Sequence, residues 1–307
     1  MSYNLIDSID KEVWLYYMST QQSKYKSPLR YPGGKGCICE FMTHFLQEND
    51  MVGIRYAEPY AGGAGLALGL LMDGYVSEIF INDLDPSIYA FWWTVLNRSE
   101  ELITWIEGVD ISIEEWKKCK EIQKACKSVD IVDLAKATFF LNRTNVSGVL
   151  SGGVIGGQEQ KGKYKIDARF HKEELITRIK RISQFSERIH LSNLDGLLFL
   201  TEMNNFGEDV FIYLDPPYYK KGAELYLNAF KDVDHENLAK AIITVHKRWM
   251  VSYDNQPFIL NLYEQYNKVL YQLSQCASNR VGDEVIIFAP QLKYDESLQY
   301  LSKPIRL

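Results

Sequence analysis

Short apolar runs that end on a polar or acidic residue recur along the chain, separated by stretches with helical spacing. Ile54-Arg55-Tyr56-Ala57-Glu58 predicts a buried strand that runs into a glycine turn, Pro59-Tyr60-Ala61-Gly62-Gly63-Ala64-Gly65. An apolar helix is expected over residues 66–72, then a second strand over residues 78–83 ending on Asn82-Asp83. Strand, glycine turn, helix, strand and acid form the first half of a nucleotide-binding α/β unit. The rhythm resumes with strands at residues 189–191 and 210–214, the latter closed by Asp215-Pro216-Pro217-Tyr218. A helix over residues 235–246 and a strand over residues 249–253 follow. Two late runs, residues 268–273 and 284–288, fit a closing antiparallel pair.

Between these halves, from about Pro86 to Arg188, helical spacing predominates. Ser99 and Ser112 are placed to cap helices, and Glu115 stands three positions after Ser112 as a capping box requires. Helices are expected over residues 133–141 and 170–185. Residues 142–168 lose periodicity and hold six glycines, which predicts a long loop or a glycine-rich hairpin. Ahead of the first strand, Ser27-Pro28-Leu29-Arg30-Tyr31-Pro32-Gly33-Gly34-Lys35-Gly36 reads as a loop fixed by two prolines and loosened by three glycines. The chain thus reads as a polar arm (residues 1–26), an α/β domain in two pieces (27–91 and 189–307) and a mostly helical insert (92–188).

Composition narrows the setting. No apolar run among the 307 residues is long enough to span a bilayer, and the first residues lack the apolar core of a signal peptide, so a cytoplasmic protein without a membrane partner is expected. The five cysteines are odd in number and form no C-x-x-C pair, so neither a disulfide framework nor a metal site is signalled. The net charge of −6 speaks mildly against nucleic acid. Its distribution speaks the other way: from Arg143 to Arg188 ten Lys and Arg face five acids, and residues 20–36 carry Lys24, Lys26, Arg30 and Lys35 with no acid.

The chemistry concentrates at two turns. Asp215-Pro216-Pro217-Tyr218 follows five apolar residues and so sits at the carboxyl end of a buried strand, where open α/β sheets bind ligands. Such a turn presents a carboxylate, a carbonyl and an aromatic face together. The Asp215 carboxylate and the Pro216 carbonyl could accept both hydrogens of an exocyclic amine, and Tyr218 could stack on its ring. The glycine turn lets a ligand approach backbone amides at a helix start, which suits an amino-acid carboxylate. Asp83 is placed to accept from ribose hydroxyls. Asn193 and Asp195 follow a strand and could face an adenine ring, although a plain polar turn is the other reading.

Taken in order, Arg30-Tyr31-Pro32-Gly33-Gly34-Lys35, Glu58 to Gly65, Asn82-Asp83 and Asp215-Pro216-Pro217-Tyr218 resemble the motifs of Dam-type, alpha-class (D12) DNA adenine-N6 methyltransferases. The resemblance runs from about residue 27 to residue 290. It implies a Rossmann-like S-adenosylmethionine-dependent catalytic domain, with residues 92–188 as a target-recognition insert that grips double-stranded DNA. It implies cofactor contacts at Tyr31, Lys35, Glu58, Gly62, Gly65, Asp83, Asn193 and Asp215, and catalytic roles for Asp215, Pro216 and Tyr218. Asn142-Arg143 and the following stretch resemble the family's DNA-facing segment, which implies DNA contacts at Arg143, Lys161, Lys163, Lys165 and Arg169. Two departures stand out: Tyr60 where the family often has Phe, and a segment at residues 151–157 richer in glycine than in GATC-specific enzymes. A GATC target is therefore not carried over, and the recognition sequence stays open. An RNA- or other amine-directed methyltransferase, or a DNA-binding regulator on an inactive fold, stays open from sequence, as does a separately encoded restriction endonuclease as partner.

Overall fold

The computed structural model describes residues 27–31, 33–220, 230–275 and 280–307. The expected arm at residues 1–26, with Lys24 and Lys26, and also Pro32 and Cys276, lie outside the described residues. Eight strands form one sheet: β1 (Arg55–Glu58), β2 (Ile79–Asn82), β3 (Ile189–Ser192), β4 (Val210–Leu214), β5 (Arg248–Asp254), β6 (Asn267–Gln275), β7 (Arg280–Phe288) and β8 (Ile305–Arg306). Their order is β3-β2-β1-β4-β5-β7-β6-β8. The first five run parallel, and β7 slots antiparallel between β5 and β6. The strand order reverses direction between β1 and β4. In open α/β sheets that switch point opens a crevice at the carboxyl ends of the strands.

Burial explains the sequence of each strand. β4 is buried at all five positions, as a strand covered on both faces must be, and so it reads as an unbroken apolar run. Helix α1 (Cys39–Glu48) buries Phe41, Met42, Phe45 and Leu46 on one face. Helix α2 (Gly65–Met72) has no polar face, because Leu66 to Leu71 are all buried. Ala64, in the left-handed region at φ 47°, turns the chain into α2 without a side-chain cap, so the first amides of the helix are left to other partners.

Five helices lie between β2 and β3 in sequence: α3 (Pro86–Asn97), α4 (Ser99–Gly108), α5 (Ile113–Lys124), α6 (Ile131–Thr144) and α7 (Lys172–Ser183). α6 is the buried axle of this layer. Phe139 stacks on Phe91 of α3 at 5.6 Å, and Phe170 packs against both Phe139 and Phe140. Ser112 caps α5 by accepting from the Glu115 amide at 3.2 Å. Ser99 does not cap α4: Arg98 holds the cap position and Ser99 is already the first helical residue. Two helices with little sequence signal, α8 (Gly196–Asn205) and the short α10 (Pro257–Leu262), flank α9 (Asp232–Ile243). No helix among the described residues is long and apolar enough to cross a membrane.

The stretch after α6 is an ordered loop. Asn145 and Val154 form an antiparallel bridge. Asn145 accepts from the Trp116 indole at 2.7 Å and donates to the Val149 and Leu150 carbonyls. Gly148, at φ 78°, lies so close to Arg30 that a Cβ would sit 2.4 Å from the Arg30 carbonyl oxygen. Glycine there lets the insert loop close on the loop that carries Tyr31 and Lys35.

Candidate active site

A cavity of about 370 Å³ opens at the carboxyl ends of β1 and β4, roofed by insert residues Gly148 to Ser151. That volume lies in the range of small-molecule sites. Tyr31, Lys35, Glu58, Gly65, Asp83 and Asp215 line it, so residues far apart in the chain meet at one wall. Asp195, Asn142 and Pro217 line it as well.

The floor is built by β1 and the turn after it. Buried Glu58 accepts from the Tyr56 hydroxyl at 2.9 Å and from the backbone amide of Ala67, which caps the open start of α2. Burial pushes the Glu58 carboxyl up to about 8, against those two hydrogen bonds. Gly62 donates to Asp83 Oδ2 at 2.8 Å, and the Asp85 amide donates to Oδ1 at 2.9 Å. Burial raises the Asp83 carboxyl, and these amides pull it back. Each oxygen keeps a lone pair for a further donor. The Tyr31 side chain is seated on the glycines: a Cβ on Gly62 would lie 2.5 Å from its ring and one on Gly63 3.0 Å from its Cβ. A Cβ on Gly65 would meet nothing closer than 4.0 Å, so it would project into the cavity. Gly65 thus keeps open the space in front of the α2 amides. At the end of β3, Asp195 caps α8 through Oδ1, which accepts from the Leu197 amide at 2.9 Å.

The corner around Asp215 is more tightly bonded. Lys35 is 4 % exposed, and its ammonium donates to Asp215 Oδ1 at 2.7 Å, to the Tyr218 hydroxyl at 3.0 Å and to the Gly33 carbonyl at 3.2 Å. Those three bonds use all three of its hydrogens. Ser252 of β5 donates to the same Asp215 oxygen at 2.9 Å and shares a hydrogen bond with the Tyr213 hydroxyl at 2.8 Å. Both bonds to Asp215 fall on Oδ1. The Asp215 side chain keeps 22 % exposure, and no described residue bonds Oδ2. Burial raises the Asp215 carboxyl, while Lys35 and the hydrogen bonds lower it. Burial likewise works against the Lys35 charge, but Asp215, Glu284 and Tyr218 outweigh it and hold the ammonium well above its ordinary value.

Several expected residues stand elsewhere. Tyr218 is not presented as a stacking face: it is 3 % exposed, off the cavity wall, and its hydroxyl donates to Glu284 of β7. Gly33, at φ 75°, makes room for that hydroxyl, which would lie 2.7 Å from a Cβ there. Pro216 is buried behind the wall, and Pro217 lines it. Gly62 supports Asp83 and Tyr31 and does not line the cavity; Asn193 is exposed off the wall and donates to the Asp83 carbonyl at 2.6 Å. Lys35 faces the cavity but spends its donors on protein groups. Arg143 is no phosphate contact here: at 7 % exposure its guanidinium donates to the Arg169 carbonyl at 2.7 Å and the Pro28 carbonyl at 3.5 Å. Lys161, Lys163, Lys165 and Arg169 are exposed.

The sequence reading missed four groups of the corner: Tyr213, Ser252, Tyr271 and Glu284. Glu284 alone left a trace, as a charged residue at the head of the apolar run Val285-Ile286-Ile287-Phe288. An acid facing inward from a central strand needs partners.

The family description D12 class N6 adenine-specific DNA methyltransferase matches residues 31–275. The chain belongs to this family. The span of this D12-class match takes in both chemical turns, the insert and the sheet as far as β6. A comparison with curated protein sequences returned no match. Among solved structures, one similar chain is a "putative RNA methyltransferase" of Pyrococcus horikoshii, at 10 % identity and a TM-score of 0.40, covering 89 % of this chain and 95 % of that one. Another is a class I S-adenosylmethionine-dependent methyltransferase of Listeria monocytogenes, described with the same qualifier, at 10 % identity and a TM-score of 0.37, covering 94 % of this chain and 71 % of that one.

Proposed function

We propose that this D12-class chain transfers the methyl group of S-adenosylmethionine to N6 of an adenine turned out of double-stranded DNA. The observation that carries the reading is Asp215: it lines the cavity, Oδ1 is held by Lys35 and Ser252, and no described residue bonds Oδ2. The residues present suit the cofactor. The α2 amides behind Gly65 would hold its carboxylate, Asp83 its ribose hydroxyls, and Asp195 Oδ2 the amine of its adenine. The group supplies an electrophilic methyl on a positive sulfonium, so no strong base is required.

The protein's part is orientation and polarity. An aromatic amine is a weak nucleophile because its lone pair is delocalised into the ring. Asp215 Oδ2 accepts one N6 hydrogen and the Pro216 carbonyl the other, which localises that pair on nitrogen. The donors on Oδ1 keep the carboxylate from rotating, so its dipole is set before the substrate arrives. The adenine must leave its stack to reach a strand-end pocket, at a few kcal/mol. For Tyr218 to stack on it, the ring would first have to give up its bonds to Glu284 and Lys35. In the insert (residues 92–188), Lys161, Lys163, Lys165 and Arg169 take the phosphate role, since their side chains are exposed.

The test is methylation with tritiated donor on DNA and on RNA, followed by nucleoside analysis. N6-methyladenine from DNA is expected. Label in RNA alone, or in a base other than adenine, overturns the reading.

A further inference from the structure

We propose that Glu284, a β7 residue outside both chemical turns, is a positioning residue that governs Asp215 through Lys35. It is 1 % exposed. Oε1 accepts from the Tyr218 hydroxyl, Oε2 accepts from the Tyr271 hydroxyl at 2.7 Å, and Oε2 also lies 3.4 Å from the Lys35 ammonium. Tyr271 stands directly across from Glu284 in the β6–β7 ladder, so the sheet register itself fixes this acid. One ammonium is therefore shared between two carboxylates, the substrate-facing Asp215 and the buried Glu284.

That sharing has a purpose a single ion pair would not serve. Were Lys35 bound to Asp215 alone, nothing on its far side would stop it following the carboxylate into the cavity and occupying the hydrogen-accepting oxygen. Glu284 and the Gly33 carbonyl hold the ammonium back, on Oδ1, and leave Oδ2 to the amine. Tyr218, bonded to both Lys35 and Glu284, ties the end of the Asp215 turn to the same post. The charged and titratable groups packed around the pair are Glu58 from β1, Tyr213 from β4, Tyr218 from the turn, Tyr271 from β6 and Glu284 from β7, with neutral Ser252 from β5. Glu284, Glu58 and Asp254, which stands across the β5–β7 ladder from Glu284, are the acids besides Asp215, and Lys35 is the base.

Two charges of opposite sign thus act on one carboxylate, and removing them has opposite consequences. Lys35→Met takes away the cation, so the acidic limb of the single-turnover methylation profile moves up by about 1–3 pH units. Glu284→Gln keeps the shape and the acceptor for Tyr218 but removes the competing anion, so the limb moves down by a smaller amount. Lys35→Arg, which keeps the charge, returns the limb toward the wild-type position. Calorimetric affinity for S-adenosylmethionine is unchanged in Glu284→Gln.

The proposal rests on Asp215 as the hydrogen acceptor, so a measurement without turnover separates the two. Carboxyl-carbon NMR of aspartate-labelled protein without cofactor, with Asp215→Asn assigning the resonance, reads the Asp215 titration directly. Opposite displacement of that titration in Lys35→Met and Glu284→Gln supports the inference even if the methylation assay fails. If Glu284→Gln lowers the rate at every pH and leaves both the limb and the Asp215 resonance in place, Glu284 is a structural residue and the inference is wrong. Should Lys35→Met fail to fold, the isosteric Glu284→Gln decides alone, by the direction of its shift.

Discussion

Two regions of the molecule, a buried wall at the cleft and an exposed one along the insert loop, treat their charges in opposite ways. At the carboxyl end of β4 and the adjoining positions of β5, β6 and β7 the charged groups are buried and bonded to one another: Lys35 uses every hydrogen, and Glu284 accepts two hydroxyls. Along residues 159–169 the charged side chains are exposed, although Lys165 donates to the Gln160 carbonyl. Lys161 meets only neighbouring Glu159, Lys163 lies over the Tyr164 ring, and neither Lys163 nor Arg169 makes an ion pair among the described residues. A buried charge without partners is expensive, so the first wall must be satisfied before any substrate arrives. The second wall has unspent charge, which is what a polyanion needs. On the proposed reading, chemistry belongs to the over-determined wall and grip to the other.

Replacing the partly open acid Asp215 should cost the most. Asp215→Ala is expected to lower single-turnover methylation on the order of 10³-fold, with DNA affinity retained in a fluorescence anisotropy titration. Retained methylation with a changed DNA affinity would move Asp215 from the first wall's role to the second's.

Arg143 sharpens the contrast from within the insert, because it belongs to the buried class despite its basic neighbourhood. It links α6 to the Arg169 and Pro28 carbonyls, and burial, with Arg30 next among the causes, pulls its charge down to about 9. Arg143→Ala should destabilise the protein by about 2–3 kcal/mol in urea melts, since it strands buried carbonyls. Arg169→Ala should leave stability within ~0.5 kcal/mol and reduce the salt slope of DNA binding by about 1. Exchanged outcomes would place Arg143 on the DNA and Arg169 in the scaffold.

Tyr218→Phe is a smaller test of the same boundary. The ring stays buried, but Glu284 loses a donor and Lys35 an acceptor. A loss of about 1–3 kcal/mol of stability is expected, with the base-flipping signal of a 2-aminopurine target unchanged. A phenylalanine variant as stable as the wild type, with altered flipping, would return Tyr218 to the role of stacking surface.

The parallel half of the sheet was legible because each strand is a short apolar run closed by glycine or acid, and the motif loops sit where those runs end. The late pair, placed at residues 268–273 and 284–288, runs longer on both strands, since ladder bonds in an antiparallel hairpin continue through residues with no apolar signal. Tyr31, Lys35, Glu58, Asp83 and Asp215 do meet in one cavity, but their partners were not visible. Pairing of Glu284 with Lys35 depends on β7 lying between β5 and β6, a matter of sheet order that no local pattern encodes. Arg143 was misassigned for a related reason: charge counting along the chain cannot separate a guanidinium that bridges backbone carbonyls from one that meets solvent. Asn142 was read only as part of a DNA-facing segment. In the fold it accepts from the Arg30 amide at 2.7 Å and donates to the Arg30 and Gly148 carbonyls, stitching the insert to the Lys35 loop.

The last expected effect is a pH dependence that only the buried wall should show. Glu58 has a folded value near 8 against an ordinary 4.5, because burial outweighs the Tyr56 hydroxyl and Ala67 amide that favour its charge. Between those values the unfolded chain has lost the proton while the folded protein retains it. The folded state then binds more protons, so stability falls as pH rises through that window and levels off above about 8, with a slope limited to ~1.4 kcal/mol per unit. Glu58→Gln removes the titrating group while keeping an acceptor at the start of α2. Melting temperatures of the cofactor-free pair, measured from pH 5 to pH 8, should therefore diverge in favour of the variant as pH rises. Lys163→Ala, on the exposed wall, should track the wild type throughout. Parallel curves for Glu58→Gln and wild type would mean that Glu58 is already ionised in the fold, held so by α2 and the nearby Lys35. The start of α2 would then carry a full negative charge, and a cofactor carboxylate would have to bind against it.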